Sequence, residues 1–161
     1  MAPHVKRLSL CFIFSVLTIK GALSGEAKKT YEELPDQYKK AFKINAYQKN
    51  PQSFEVFLET LNGYSVYKET LEIKAEYFRL ELKEATPALK SLDPLSQKIK
   101  EFYKDQNTFL FELKNKKENL LKEFSIKLQA CSKENCLLPV SFTIPILNSP
   151  KEAPLPSSTL N

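Results

Sequence analysis

Glycine is almost missing from this chain. Gly21 and Gly25 stand near the amino terminus, and Gly63 alone serves everything that follows. A backbone that turns without glycine must use proline, with its fixed φ and missing N–H, or asparagine, which tolerates left-handed φ. The available turn devices are Pro35, Asn50-Pro51, Asn62-Gly63, Pro87 and Asp93-Pro94, and they divide the body into segments long enough for helices.

Apolar spacing within those segments predicts five helices. Pro35 opens the first, with Tyr38, Phe42 and Ala46 four apart. Asn50-Pro51 supplies a cap and first turn for the second, which carries Phe54, Phe57, Leu58 and Leu61 and ends at Asn62-Gly63. In the third, Tyr67, Leu71, Ala75, Phe78, Leu82, Ala85 and Leu89 recur at spacings of four and three, with a kink or stop at Pro87. Asp93-Pro94 starts the fourth, with Leu95, Ile99 and Phe102 inside. Thr108 caps a fifth that reaches about Gln129 and buries Leu110, Leu113, Leu120, Leu121, Phe124 and Leu128. No alternating run precedes residue 137, so the expected class is all-α: a single-domain bundle of about five helices over 25–136.

The two ends differ from this body. Lys6 and Arg7, the apolar run Leu8 to Ile19 and the small residues Ala22 and Ser24 read as a secretory signal peptide over 1–24. The run is short of the roughly 20 residues that span a bilayer, and an uncleaved anchor is the alternative. Cleavage removes Cys11 and the only histidine, His4, and leaves 21 basic against 19 acidic residues, a net charge of about +2. At the other end Leu138, Val140, Phe142, Ile144 and Ile146 alternate with Pro139, Ser141, Thr143 and Pro145. With no second strand in sight and two prolines lacking donors, 137–147 reads as an extended apolar arm laid into a groove between helices. The Pro/Ser-rich remainder, 148–161, reads as a disordered tail.

Secretion makes a disulfide the default for Cys131 and Cys136, the two cysteines left. On one helix they stand about 8 to 9 Å apart, beyond bridging distance, so the fifth helix must end between them. A redox site calls for C-x-x-C and a zinc site for more ligands. Neither pattern occurs.

The remaining chemistry is sparse. A mature chain without histidine lacks the commonest general base, and no G-x-S-x-G, H-E-x-x-H or phosphate-binding glycine loop occurs, so no catalysis is expected. Lysines 114, 116, 117, 122 and 127 are offset by Glu112, Glu118 and Glu123, which argues against nucleic acid. On a helix Glu101 and Asp105 share one face and form the candidate metal pair, with Glu69, Glu72 and Glu76 a second cluster; weak calcium or magnesium binding is the only cofactor expected. Phe54, Phe57, Phe78, Phe102, Phe109, Phe111, Phe124 and Phe142 are the candidate core or apolar-ligand rings.

Three stretches, KKAFKINAYQKNPQSFEVFLETL, LKSLDPLSQKIKEFYKDQN and TFLFELKNKKENLLKEF, resemble the SXP/RAL family of nematode secreted proteins. That resemblance implies a small all-helical antigen of cation-binding type. YQKNPQSFEVFLETL and LKSLDPLSQKIKEFY are also similar to the nematode fatty-acid and retinol-binding family, which implies helices around a lipid cavity. Cys131, Cys136 and the arm lie outside the SXP/RAL pattern. The combined expectation is a secreted, extracellular, non-catalytic helical protein that binds a protein partner or weakly a divalent cation, with a carrier of fatty acid, retinol or another apolar molecule as the alternative.

Overall fold

The computed structural model describes residues 28–114 and 121–148. The expected signal peptide lies outside them, as does all of the expected tail except Asn148.

The described body is a β fold, and the all-α expectation is overturned. A single short α-helix, α1 (Asp36–Ala41), precedes a series of strands. They are β1 (Phe42–Asn50), β2 (Ser53–Thr60), β3 (Ser65–Tyr67), β4 (Glu72–Lys74), β5 (Leu80–Ala85), β6 (Leu89–Leu92), β7 (Ile99–Tyr103), β8 (Gln106–Leu113), β9 (Glu123–Leu128), β10 (Ala130–Cys131) and β11 (Val140–Asn148).

The physical reason for the reversal is that a spacing of four fits both periods. Phe42 and Ala46 share a helical face, but they also share a strand face, and the residue between them, Ile44, is buried with them while Lys43 and Asn45 are exposed. The same alternation buries Phe54, Val56 and Leu58 on β2, Phe109 and Phe111 on β8, and Phe124, Ile126 and Leu128 on β9. β-Branched residues stand at several intervening positions, where a pleated surface suits them.

Seven strands form one sheet in the order β4-β9-β11-β1-β2-β8-β5, and four form a second in the order β10-β3-β7-β6. From Val140 onward the expected arm is a paired strand. The first part of β11, Val140 to Pro145, runs antiparallel to β9, and its end, Ile146 to Asn148, runs parallel to β1. Pro145 closes the β9 register, so its missing donor falls where the ladder changes partner.

The large sheet folds over on itself. Three steps separate β2 from β9, about 14 Å in a flat sheet at roughly 4.8 Å per step, yet the rings of Phe54 and Phe124 stand 5.9 Å apart, edge to face. Phe111 of β8 also reaches Phe124, at 6.2 Å. The small sheet adds one face to this interior: Val66 and Tyr103 point inward, and Tyr103 meets Phe109 at 4.9 Å. The opposite face of the small sheet, bearing Tyr67 and Phe102, is left to form a surface.

Candidate functional site

The chain passes from the large sheet to the small one at Gln129, between β9 and β10. Its backbone N–H donates to Thr70 Oγ1 at 3.1 Å, and Nε2 of its side chain donates to the Leu137 carbonyl at 3.0 Å. Two residues on, Cys131 lies opposite Ser65 on β3 and is 4% exposed. Cys136 is exposed and returns to Cys131 as an antiparallel bridge.

A disulfide joins the two cysteines, with Cα atoms 4.0 Å apart. The intervening loop is closed by its own polar groups. Ser132 N–H donates to the Asn135 carbonyl at 2.7 Å, and Ser132 Oγ accepts from the N–H groups of Glu134 and Asn135, each at 3.2 Å. Leu137 N–H then donates to the Ala130 carbonyl at 2.9 Å. Strand bridging, rather than the end of a helix, brings the sulfurs together. A bridged pair of this kind indicates an oxidising compartment outside the cytoplasm.

The disulfide borders a hollow of about 450 Å³ on the outward face of the small sheet, lined by Tyr67, Leu89, Phe102, Lys104, Cys131 and Lys133 among others.

One rim of the hollow is the turn between β6 and β7. Asp93, 7% exposed, accepts the Tyr67 hydroxyl at 2.7 Å and the Ser96 N–H at 2.9 Å. Its own backbone N–H donates to the Lys98 carbonyl, and its carbonyl accepts from Gln97, whose φ of 55° places it in the left-handed region. Hydrogen bonding to the carboxylate, from the Ser96 side chain foremost and Tyr67 next, holds the Asp93 carboxyl down at about 2. Burial, reinforced by Asp93, pushes the Tyr67 phenol up to about 12. Outside this fastening, Leu92, Leu95 and Ile99 are exposed.

The expected site residues are dispersed by the strand geometry. Glu101 on β7 pairs with Lys68 at 2.8 Å and Lys90 at 3.2 Å, while Asp105 sits in the β7–β8 turn at a φ of 59°. The helical face that would unite them is absent. Glu69 pairs with Lys100, Glu72 with Lys74 and Lys127, and Glu76 with Lys28. Among the described residues no group of three or more candidate ligands is placed to hold a metal ion.

Of the aromatic set, Phe54, Phe109, Phe111, Phe124 and Phe142 fill the interior. Phe78 packs partly against it, Phe102 lines the hollow, and Phe57 is 40% exposed beside Tyr47 on the outer face. Gln129 and Tyr67, the two residues that fasten the site, were not singled out for it by sequence. Tyr67 fell on an apolar stripe and Gln129 at a helix end. Asp93 has the chemistry of a cap, and its carboxylate does accept the following N–H groups, but it closes a hairpin turn instead of starting a helix.

No protein-family model and no curated protein matches the chain. Solved structures do. The N-terminal domain of DsbD from Neisseria meningitidis in its reduced form is similar at 15% identity and a TM-score of 0.52, over 71% of this chain and 90% of that one. The complex between the N-terminal domains of DsbD and PilB from Neisseria meningitidis gives 15% identity and a TM-score of 0.50, over 72% and 88%. This likeness shows the fold, an immunoglobulin-like β architecture. It overturns both helical resemblances, to the SXP/RAL and the fatty-acid and retinol-binding families. The reading as a helical antigen or cation binder, and its alternative as a carrier of an apolar molecule, fall with them. No described helix is long and apolar enough to cross a membrane.

Proposed function

We propose that this chain is a thiol–disulfide exchange domain whose working group is the Cys131–Cys136 pair. The observation that carries the reading is the position of the disulfide: it fastens no two distant elements of the core, and it opens on a hollow at the surface. Both similar structures contain a DsbD N-terminal domain, one described as reduced and the other bound to a second protein domain, which supports a redox-active pair and a protein partner here.

The exchange follows from exposure. A thiolate of a dithiol partner attacks Cys136 Sγ, the accessible end; the Sγ–Sγ bond breaks, and Cys131 leaves as a thiolate and takes up a proton. Lys104 and Lys133, lining the same hollow, stabilise that departing charge. The partner's second thiolate then attacks its own sulfur in the mixed disulfide and releases Cys136. The partner is oxidised by two electrons, and this chain is reduced. It acts as a carrier that must be reloaded by a second partner. Export through the segment 1–24 supplies the compartment, and the exposed Leu92, Leu95 and Ile99 beside the hollow offer an apolar surface for docking.

The test equilibrates the full chain in graded glutathione buffers, counts thiols by mass after alkylation, and follows the β signal by circular dichroism. The expected result is reversible two-electron reduction of a chain that stays folded, with stability lowered by about 2 kcal/mol, the chain-entropy value for so short a loop. A pair that yields only when the strands melt is a structural staple, and the proposal fails.

A further inference from the structure

We infer that Gln129 is a positioning residue that holds the Cys136 arm against Cys131 in the dithiol state and thereby sets how readily the pair closes. The inference rests on the exchange reading above. In the oxidised chain the disulfide itself keeps Cys136 in place. Once it is reduced, the arm is held by what flanks it, and Leu137, the residue after Cys136, is pinned twice to the two residues before Cys131. Its N–H donates to the Ala130 carbonyl at 2.9 Å, and its carbonyl accepts Gln129 Nε2 at 3.0 Å.

Gln129 can serve as an anchor because it is itself fixed. Its backbone N–H donates to Thr70 Oγ1, and that hydroxyl donates to the Tyr67 carbonyl at 2.9 Å, next to the hollow. One side-chain amide thus ties the β9–β10 corner to the far side of the cysteine loop. Closure of a dithiol depends on the effective concentration of one sulfur at the other, which falls as the tether between them loosens. Removing the amide leaves a single backbone bond on Leu137 and affects the reduced state more than the oxidised one. The equilibrium then moves toward the dithiol.

The experiment compares the full wild-type chain with Gln129→Met, which keeps the length and removes the donor, and Gln129→Asn, which keeps the donor and falls short of the Leu137 carbonyl. Each is brought to equilibrium with glutathione, where one disulfide and two glutathione thiols become two protein thiols and one glutathione disulfide. Both variants are expected to favour the dithiol about fivefold more than wild type, a potential about 20 mV more positive at 29.6 mV per tenfold. Melting of the oxidised forms is measured alongside, because a merely structural role lowers the melting temperature and leaves the exchange equilibrium where it was. If the folded variants match wild type within twofold, the inference about Gln129 is wrong and the exchange reading stands. If wild type itself does not exchange, both are wrong.

Discussion

On β1, β2, β8, β9 and β11 of the seven-stranded sheet, alternate side chains go into a shared interior, whereas β6 of the four-stranded sheet buries none of its four residues. The first region is held by dispersion and the exclusion of water from rings such as Phe54, Phe111 and Phe124. The second has a thin inner face, Val66, Tyr103 and Ala130, and is fastened by polar devices: the Asp93 turn, the Ser132 loop and the Gln129 corner. Packing of the first kind tolerates little rearrangement. Polar fastenings on a surface sheet can be rearranged at smaller cost, and the disulfide lies among them.

The sharpest way to break this contrast is to remove a ring from the closed sheet. Phe124→Ala, at a fully buried position meeting two other rings, is expected to destabilise the fold by about 3–5 kcal/mol in denaturant titrations. A loss below about 0.5 kcal/mol, the range of ordinary surface changes, would mean that the large sheet is not the principal core.

A smaller effect, read at the small sheet, is expected from the Asp93–Tyr67 pair as pH changes. Asp93 has a folded value depressed to about 2, so its contribution is complete above the unfolded value near 3.8 and is lost as pH falls from there toward 2. Tyr67 has a folded value raised to about 12, so its contribution is complete below 10 and is lost as pH rises from 10 toward 12. Asp93→Asn should flatten the acid limb and Tyr67→Phe the alkaline limb of stability against pH. Hydrogen exchange at Leu95 and Ser96 should rise in both variants while the amides of β1 and β2 stay protected. Equal deprotection of the two sheets would erase the distinction between them.

The smallest effect belongs to the rim. Ile99 is 74% exposed, and Ile99→Lys should change stability by less than about 0.5 kcal/mol in thermal melts. A larger loss would show that β7 is covered in the folded chain.

Much of the local chemistry was legible in the sequence, attached to the wrong elements. Asn62-Gly63 has the chemistry of a helix end. It is instead the tight turn after β2, with φ of 52° and 76° and a Tyr64 N–H to Leu61 carbonyl bond, the left-handed pair that glycine and asparagine permit. The alternation of Leu138 to Ile146 was recognised as strand-like, but the partners β9 and β1 were hidden by a helical reading of their own sequences. Lys and Glu between the apolar positions strengthened that reading because both are good helix formers, although on β1 and β2 they stand on the outer face of a sheet. For the site, the cysteine pair was visible by count and compartment, while Gln129 carried no signal at all: its role depends on Thr70 and Leu137, fifty-nine residues before it and eight after.

By itself the amino-acid sequence determined which side chains are apolar, that two cysteines stand five apart and that no histidine follows His4, and it marked some of the turns, Asn62-Gly63 and Asp93-Pro94 among them. Only the tertiary structure decided between periods 3.6 and 2, because spacings of four satisfy both and the choice depends on which distant segments supply ladder partners. It also decided what the cysteines face. A disulfide's surroundings are built by strands far apart in the chain, and no local pattern encodes them.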